Sequence, residues 1–433
     1  MGIALLKKLN TKMPDGLKTA LGPLIRGKLI YNSTFRHQYS ALVKADTYSY
    51  EEQGNKQLAA LKETLVHAYE HTAFYCSAFD KAGFNPHKFS SFEEMKHIPV
   101  ITKADVIANY DAMQADDIND FYHATTGGST GVPLKVSLER ESIYRERAFI
   151  YHYWSKAGYD YRTSKLATFR GTDFNGKLFK ANPLYNEIQF NPCRINAGTI
   201  QLYYDKIMSF GADFLHGFPG AIYSFCKFAN RVGLEIKDKF KGAFFISENV
   251  YDFQREYIEQ SLGCKTYAFY GHTERAVFAE FNGGGYSFNK AYGYVELSEQ
   301  SEGFIICTGF INHKMPLIRY QVDDYAERYF DRYKIEGHRE GGLIGKNGEN
   351  ISSAMLEVHS PVLERMAKYQ FIQKEQGKVT VLTVPVDKFT EQEVEEIRMV
   401  YQNKFGEGID VEVKPVKDVQ YTSRGKYKLI VRE

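Results

Sequence analysis

Apolar side chains recur every three or four residues along residues 56–75, which predicts an amphipathic helix. The apolar stripe consists of Leu58, Leu61, Leu65, Ala68, Tyr69 and Thr72. The same stretch contains His67 and His71 in an H-x-x-E-H pattern, which occurs in some metallopeptidases. At helical spacing both histidines point roughly opposite the stripe, and the sequence offers no identifiable partner ligand. We therefore predict a solvated helix face and reject a metal-ligand role for His67 and His71.

Between about Leu166 and Ile318 the pattern alternates between strand-like and helix-like pieces. The predicted elements are strands at 166–169, 243–246 and 266–269 and helices at 218–231 and 252–262. Such alternation is typical of an α/β layered domain, in which ligands gather at the carboxyl ends of strands. Polar residues follow two of these strands directly, in Ser247-Glu248-Asn249 and in Tyr270-Gly271-His272-Thr273-Glu274. We expect a binding site at these strand ends.

The pattern changes after Ile335, where five glycines lie within GHREGGLIGKNGENIS. The Asn347-Gly348 pair in this segment predicts a hairpin turn. Strands at 378–386 and 411–416 and a helix at 391–405 follow. We therefore predict a large α/β domain of layered mixed sheets and helices over residues 1–335, and a small α+β domain over residues 336–433. The glycine-rich segment would act as the hinge between them.

Chain length and charge limit the number of domains and the kinds of ligand that we expect. A chain of 433 residues exceeds one ordinary core, in agreement with at least two domains. Lys and Arg number 55 against 53 Asp and Glu, so we expect no binding to nucleic acid through general charge attraction. Small anionic ligands must therefore be held by local groups.

The spacing of the cysteines and the N-terminal pattern indicate in which cellular compartment the protein functions. The five cysteines lie far apart without a C-x-x-C pair, which argues against a zinc ribbon and against a secreted disulfide framework. Lys, Pro or Gly interrupts every apolar run near the N-terminus before a signal peptide or a membrane span forms. We expect a cytoplasmic protein without stable membrane insertion.

The stretch from Thr125 to Val136, TTGGSTGVPLKV, is rich in glycine and hydroxyl side chains. Glycines let backbone N–H groups converge on a phosphate, while Ser129 and Thr130 add hydroxyl donors. The G-x-S-x-G form of a serine hydrolase is also present, with Ser129 as nucleophile, but a strand-like pattern follows it where that motif needs a helix. An ordinary surface turn is the third interpretation. The stretch alone leaves all three open.

Five separated segments together resemble the adenylate-forming enzymes, and most closely the phenylacetate-coenzyme A ligase family with its capsular polysaccharide branch. In the family's order they are TTGGSTGVPLKV, FFISENV, FYGHTE, PLIRYQVDDYA and TSRGKYKLIV. Similarity in LKETLVHAYEHTAFYCSAF and HIPVITKADV extends the resemblance over nearly the whole chain. The resemblance implies a ligase that uses ATP and Mg²⁺ to activate a carboxylic acid as acyl-AMP and releases pyrophosphate. The acyl group would then pass to coenzyme A or to a sugar acceptor.

The resemblance also implies a role for each matching residue. The nucleotide-binding residues would be Thr126, Gly128, Ser129, Thr130, Gly131, Glu248, Asn249, Tyr270, Gly271, Thr273, Asp324 and Arg339. Asp324 would accept from the ribose hydroxyls, and Glu274 would ligate Mg²⁺. Lys426 would be the catalytic residue, a preplaced cation that stabilises charge developing on the α-phosphate and the carboxylate.

The chain departs from the family's pattern at two positions. Leu134 stands where many relatives have a lysine, and Lys135 is displaced by one residue. His338 stands where the hinge of relatives commonly has an arginine, which leaves Arg339 as the residue to reach the ribose. The acid pocket, which varies in the family, is expected to include His216, Phe218 and Pro219. A catalytically inactive nucleotide-binding relative is the main alternative, and the retained Lys426 argues against it.

Overall fold

The computed structural model describes residues 26–28, 30–126, 134–171, 174, 176–248, 250–338, 342–348, 350–351, 356, 360–421 and 427–432. The α-helices within these residues are α1 (Ser33–Ala45), α2 (Tyr50–His71), α3 (Ala73–Lys81), α4 (Lys103–Ala108), α5 (Arg140–Ser155), α6 (Ile200–Phe210), α7 (Pro219–Arg231), α8 (Asp252–Leu262), α9 (Pro361–Glu364) and α10 (Glu391–Phe405). Short 3₁₀ helices cover Pro86–Lys88, Phe92–His97, Pro183–Tyr185, Pro192–Arg194 and Gly406–Gly408. None of the helices described here combines the length and the apolar character needed to cross a membrane.

The strands are β1 (Phe121–Thr125), β2 (Lys135–Glu139), β3 (Leu166–Phe169), β4 (Phe179–Asn182), β5 (Glu187–Phe190), β6 (Phe214–Gly217), β7 (Gly242–Phe245), β8 (Thr266–Gly271), β9 (Phe278–Phe281), β10 (Tyr286–Phe288), β11 (Gly293–Leu297), β12 (Glu302–Gly309), β13 (Tyr320–Tyr329), β14 (Arg332–His338), β15 (Leu343–Ile344), β16 (Asn350–Ile351), β17 (Met366–Glu375), β18 (Lys378–Pro385), β19 (Asp410–Pro415) and β20 (Ile430–Arg432). These elements divide into two compact units. Unit A takes its described residues from 27–156 and 269–338, and unit B takes them from residue 26 and from 157–268 and 339–433. Strand β14 continues through the boundary predicted between residues 335 and 336, and the extent of the two domains stays a prediction.

Unit A combines helices with an antiparallel sheet and the separate hairpin β1–β2. The sheet strands follow the order β11–β12–β13–β14–β10–β9, and residues 269–271 of β8 pair with β9. Helix α2 buries Leu61 and Leu65 in a core cluster that also contains Ile305 of β12. Leu134 and Val136 join the same cluster, so the hairpin is anchored to this core.

A helix is confirmed in the region predicted over residues 56–75, but the predicted C-terminal end of this helix is wrong. Helix α2 begins at Tyr50, where Ser49 and Glu52 form a capping box, and it ends at His71. Thr72 is extended, with φ −129° and ψ 131°. Its hydroxyl donates to Ala68 O at 2.7 Å and accepts from Tyr75 N at 3.2 Å. Thr72 therefore ends α2 and caps α3, because its side chain replaces backbone hydrogen bonds at both helix ends.

Unit B contains a parallel sheet in which β5, β3, β6, β7 and residues 266–268 of β8 are neighbours. Strand β4 adds to β5 in the antiparallel direction. Helix α7 is buried from Pro219 to Ala229, and Pro219 occupies its first turn, where the missing N–H costs nothing. The predicted strands and helices of this region are confirmed within a few residues. The α/β character of the large part of the chain is therefore confirmed.

The C-terminal part of unit B is a small α+β layer, as predicted. Its sheet has the order β19–β18–β17–β20, and α10 supplies Ile397 and Tyr401 to a core with Phe371 and Val381. The hairpin predicted at Asn347-Gly348 is confirmed by the pairing of β15 with β16. Gly348 has φ +84°, and its N–H donates to Gly345 O at 2.9 Å. This turn requires a left-handed backbone conformation at residue 348, which glycine adopts without a steric penalty.

Candidate active site

The TTGGSTGVPLKV stretch connects two antiparallel strands. Its base is closed by Thr126, whose N–H donates to Leu134 O at 2.9 Å and whose hydroxyl accepts from Leu134 N at 3.0 Å. Leu134 is buried in the core, whereas the Lys135 ammonium lies 4.7 Å from the centre of the Tyr110 ring. Gly128, Ser129, Thr130 and Gly131 lie outside the described residues.

This connection disagrees with the serine hydrolase alternative. A nucleophile elbow requires a helix directly after the serine. The chain instead enters β2, which pairs with β1 from Thr125↔Lys135 to Phe121↔Glu139. The loop is therefore the connection of a hairpin.

In unit A, Tyr270 and His272 of one predicted motif both contact the carboxylate of Asp324, which belongs to a second predicted motif. The Tyr270 hydroxyl donates to Asp324 Oδ2 at 2.7 Å, and His272 Nε2 lies 2.9 Å from the same oxygen. The Tyr270 and His272 rings pack edge to face with centroids 4.7 Å apart. Strand β13 carries Asp324 and pairs it with His338 of β14, while β8 ends at Gly271. The cluster thus joins positions 54 residues apart in sequence.

Burial and the Asp324 carboxylate together shift the pKa values of His272 and Tyr270. Burial alone would lower the pKa of His272, but the hydrogen bond to Asp324 and the charges of Asp324 and Glu274 raise it above 6.5. Burial, and then the charge of Asp324, raises the pKa of Tyr270 well above 10, so its phenol stays protonated. A protonated His272 beside Asp324 forms a partly buried ion pair.

The turn after Tyr270 leads to Thr273, which is exposed, and to Glu274, which is half-buried. Within the described part of the chain, the Glu274 carboxylate makes no hydrogen bond and no ion pair. Carboxylate oxygens without a protein partner fit a hard cation such as Mg²⁺, which prefers oxygen ligands.

Arg275 holds this turn in place. It has φ +56°, which is uncommon for a residue other than glycine, and its N–H donates to His272 O at 3.1 Å. Its guanidinium is buried, where Nε donates to Glu146 Oε2 at 2.9 Å and Nη1 donates to Ser142 Oγ at 2.5 Å. Arg275 was not predicted as a site residue, because its partners lie on α5, more than 120 residues earlier. Left-handed backbone also occurs at Ser247 and Arg319, within two further predicted motifs.

In unit B the predicted adenine segment contacts the C-terminal part of the chain. Glu248 accepts from Tyr427 N at 2.6 Å and from Gly220 N at 3.3 Å. The Tyr427 hydroxyl donates to Tyr369 O in β17. Asn249, Arg339 and Lys426 lie outside the described residues, but Tyr427 follows Lys426 directly in the sequence.

A small cavity of about 20 Å³ lies between α7 and β17, roughly the space for one water molecule. Its lining includes Phe218, Gly220, Glu248, Lys368 and Tyr427. A side-chain atom added at Gly220 would lie 3.0 Å from the Tyr427 ring and 3.4 Å from Glu248 Oε2. The absence of a side chain at Gly220 therefore permits Tyr427 to approach α7.

A buried polar cluster surrounds His216, one of the expected acid-pocket residues. His216 Nδ1 lies 3.3 Å from the Thr168 hydroxyl, which donates to Glu187 Oε2 at 2.7 Å. Burial, reinforced by the charge of Arg170, holds the pKa of His216 well below 6.5, so the imidazole is neutral. Thr168 and Glu187 were not predicted, because each belongs to a short strand whose apolar neighbours determine its pattern.

Comparison with known proteins supports the architecture described above. A family model described as the CapK C-terminal domain matches residues 343–433. Protein CapK of Staphylococcus aureus is 22% identical over 439 aligned positions, which cover 94% of this chain and 95% of CapK. The phenylacetate-coenzyme A ligase of Escherichia coli (strain K12) is 33% identical over 102 residues, or 23% of each chain.

Among solved structures, 2-hydroxyisobutyryl-CoA ligase in a postadenylation state superposes with a TM-score of 0.64 at 15% identity, covering 87% of this chain and 89% of that one. This likeness shows a shared fold. The predicted resemblance is therefore confirmed: the chain is similar to protein CapK over nearly its whole length, and it shares the fold of 2-hydroxyisobutyryl-CoA ligase.

Proposed function

We propose that this protein is an ATP-dependent, adenylate-forming ligase. It activates a carboxylic acid as acyl-AMP, releases pyrophosphate and then transfers the acyl group to coenzyme A or to a sugar acceptor. The fold of acid–coenzyme A ligases, with its smaller C-terminal layer, supports the class of reaction. A place in cell-surface polysaccharide biosynthesis is proposed from the resemblance to the capsular polysaccharide branch, and the similarity to protein CapK agrees with it.

The observation that carries the proposal is the cluster of Tyr270, His272 and Asp324. Two motifs that the resemblance assigns to one nucleotide meet in it at a single carboxylate. In the proposed site Asp324 accepts from the ribose hydroxyls, and its hydrogen bonds to Tyr270 and His272 fix the carboxylate for that task. Preorganisation of this kind lowers the ordering cost of binding.

The phosphates are proposed to bind at the loop that Thr126 closes, where Gly128, Ser129, Thr130 and Gly131 supply N–H and hydroxyl donors. Glu274 is proposed to hold Mg²⁺, which would neutralise charge on the departing pyrophosphate. The unpartnered Glu274 carboxylate supports this role.

Lys426 is proposed to bring its ammonium to the oxygens on which negative charge develops as the carboxylate attacks the α-phosphate. The adjacent Tyr427 supports this role, because its N–H binds Glu248 in the predicted adenine segment. Thus Tyr427 contacts a segment for which the resemblance implies nucleotide binding. The acid itself is proposed to bind beside His216, Phe218 and Pro219.

Product analysis tests the proposal. Purified protein is incubated with ATP, Mg²⁺ and a panel of aryl, fatty, hydroxy and amino acids, then quenched and examined by mass spectrometry. We expect pyrophosphate and one acyl-adenylate, and the adenylate should be consumed, with release of AMP, when either coenzyme A or an amino or hydroxyl sugar is added. Nucleotide binding without formation of an acyl-adenylate or pyrophosphate across the panel would instead indicate the inactive relative.

A further inference from the structure

The end of helix α2 carries the two histidines for which the sequence offered no partner ligand. The structure supplies one. Asp117 lies with its carboxylate oxygens 3.2 Å and 3.3 Å from His67 Nε2, and Oδ2 lies 3.9 Å from His71 Nε2. The expectation of a purely solvated face is therefore wrong: His67 is only 19% exposed in its side chain. The sequence could not reveal Asp117 as a partner, because it is 46 residues beyond His71.

We propose that His67, His71 and Asp117 form a binding site for a divalent transition metal of the zinc type. Histidines four residues apart project from the same side of a helix, and here their ring centroids are 4.9 Å apart. Two imidazole nitrogens and one carboxylate oxygen are a common three-residue donor set for zinc, with water as the fourth ligand. The three donor atoms lie within 4.8 Å of one another.

The three donor atoms must draw closer together to bind a zinc ion. Ligand atoms about 2.0–2.1 Å from a tetrahedral zinc ion are roughly 3.4 Å apart. The His67–Asp117 separation of 3.2 Å already matches this edge, and the His71–Asp117 separation of 3.9 Å must shorten by roughly 0.5 Å. A rotation of the exposed Asp117 side chain brings its carboxylate closer, and the two imidazole nitrogens, which lie within 4.8 Å of each other, must approach by up to about 1.4 Å.

Asp116 orients the second histidine for metal binding. Its Oδ1 lies 2.9 Å from His71 Nδ1, and a proton held on Nδ1 by this contact would leave the Nε2 lone pair for a metal. A carboxylate on the far nitrogen of a ligating histidine is a regular feature of zinc sites. The Asp116 N–H also donates to His71 O at 3.0 Å, which fixes this acidic segment against the end of α2.

The neighbouring His313 supports the position of the first histidine. Its ring packs edge to face against His67 with centroids 5.5 Å apart, and its Nδ1 lies 2.9 Å from Glu139 Oε1. A bound metal would join α2 to the segment that enters β1, the strand whose other end leads into the loop closed by Thr126. The metal's role would be structural, and the inference does not depend on the proposed ligase activity.

Metal titration of the full-length, tag-free protein tests the site. The protein is freed of metal with EDTA, returned to buffer with excess Mg²⁺, and titrated with Zn²⁺ against a chromophoric chelator. We expect one equivalent of Zn²⁺ to bind, and Asp117→Asn and His71→Gln each to abolish this binding. The matched control is His37→Gln, which changes an exposed histidine on α1 and should bind like the wild type. Far-UV circular dichroism confirms that each variant is folded.

A second variant distinguishes a built site from a pair of surface histidines. Asp116→Asn removes no ligand, yet it should weaken Zn²⁺ binding by about 10- to 100-fold, because it removes the carboxylate that orients His71. Equal Zn²⁺ affinity in the wild type and in both ligand variants would overturn the proposal, as would the absence of Zn²⁺ binding to the wild type. An unchanged affinity in Asp116→Asn would overturn the orienting role of Asp116.

Discussion

The ion pair of His272 and Asp324 ties the stability of unit A to pH. Its geometry, with 2.9 Å between Nε2 and Oδ2, raises the pKa of His272 in the folded protein above the unfolded value of 6.5. A raised histidine pKa contributes stability fully below about pH 6.5, and this contribution is lost as pH rises through the folded pKa.

Replacing His272 by glutamine should therefore cost more stability at low pH than at high pH. We expect the difference in urea midpoint between wild type and His272→Gln to be largest near about pH 6 and to shrink toward about pH 8. His37→Gln serves as the control on an exposed histidine. A difference that is independent of pH would show that His272 is not protonated in the folded protein.

Glu274→Gln tests the proposed magnesium ligand. Loss of one charge-assisted contact should raise the Mg²⁺ concentration needed for half-maximal adenylation by about 10- to 100-fold. Initial rates measured against free Mg²⁺ check this, with the exposed Glu299→Gln as the matched control. An unchanged Mg²⁺ dependence would assign the metal to other residues.

Lys426→Ala tests the proposed catalytic group. Removal of one well-placed cation should slow adenylation by about 100- to 1000-fold, with little change in ATP affinity. Lys428→Ala is the matched control two residues away. Single-turnover kinetics measures the adenylation rate, and equilibrium binding measures the ATP affinity separately. A larger loss of rate in the control than in Lys426→Ala would show that the neighbouring lysine is the catalytic one.

Among the secondary-structure elements, α7 can contact the segment around Tyr427 because Gly220 has no side chain. A side chain at this position would press on the Tyr427 ring and on Glu248, as the 3.0 Å and 3.4 Å separations indicate. The contact is therefore sensitive to a single added side chain.

Gly220→Val should displace the Tyr427 segment and slow adenylation by up to about 100-fold, the effect of a misplacement of roughly 1 Å. Gly54→Val in α2 is the control, because a side-chain atom added there meets nothing within 4 Å. Single-turnover rates and thermal unfolding by circular dichroism are compared for both variants. Equal rates in the two folded variants would show that the contact with Tyr427 does not support catalysis.

The elements that the sequence predicted best are those with strong periodicity. Helix α8 and helix α10 begin and end where predicted, because their apolar spacing is regular and glycine follows each. The break at Thr72 was missed, since threonine fits an apolar stripe and a helix cap equally well. Asp117, Arg275 and Glu187 were missed because their roles depend on contacts between distant parts of the chain.

At the scale of the whole molecule, the account rests on five motifs in one order along a chain with the fold of acid–coenzyme A ligases. The pairing of β14 with β13 limits where the predicted hinge can lie. Gly337 pairs with Tyr325 inside β14, so a hinge at this residue would have to break the strand pairing. We therefore keep the hinge as a prediction for the segment after His338.

ATP–pyrophosphate exchange is the decisive measurement of the proposed adenylation, because only a reversible adenylation returns labelled pyrophosphate to ATP. The account predicts exchange by the wild-type protein that requires both Mg²⁺ and a suitable carboxylic acid, and that is lost in Lys426→Ala. Exchange that proceeds without any acid, or cleavage of ATP to ADP, would contradict the adenylate-forming mechanism.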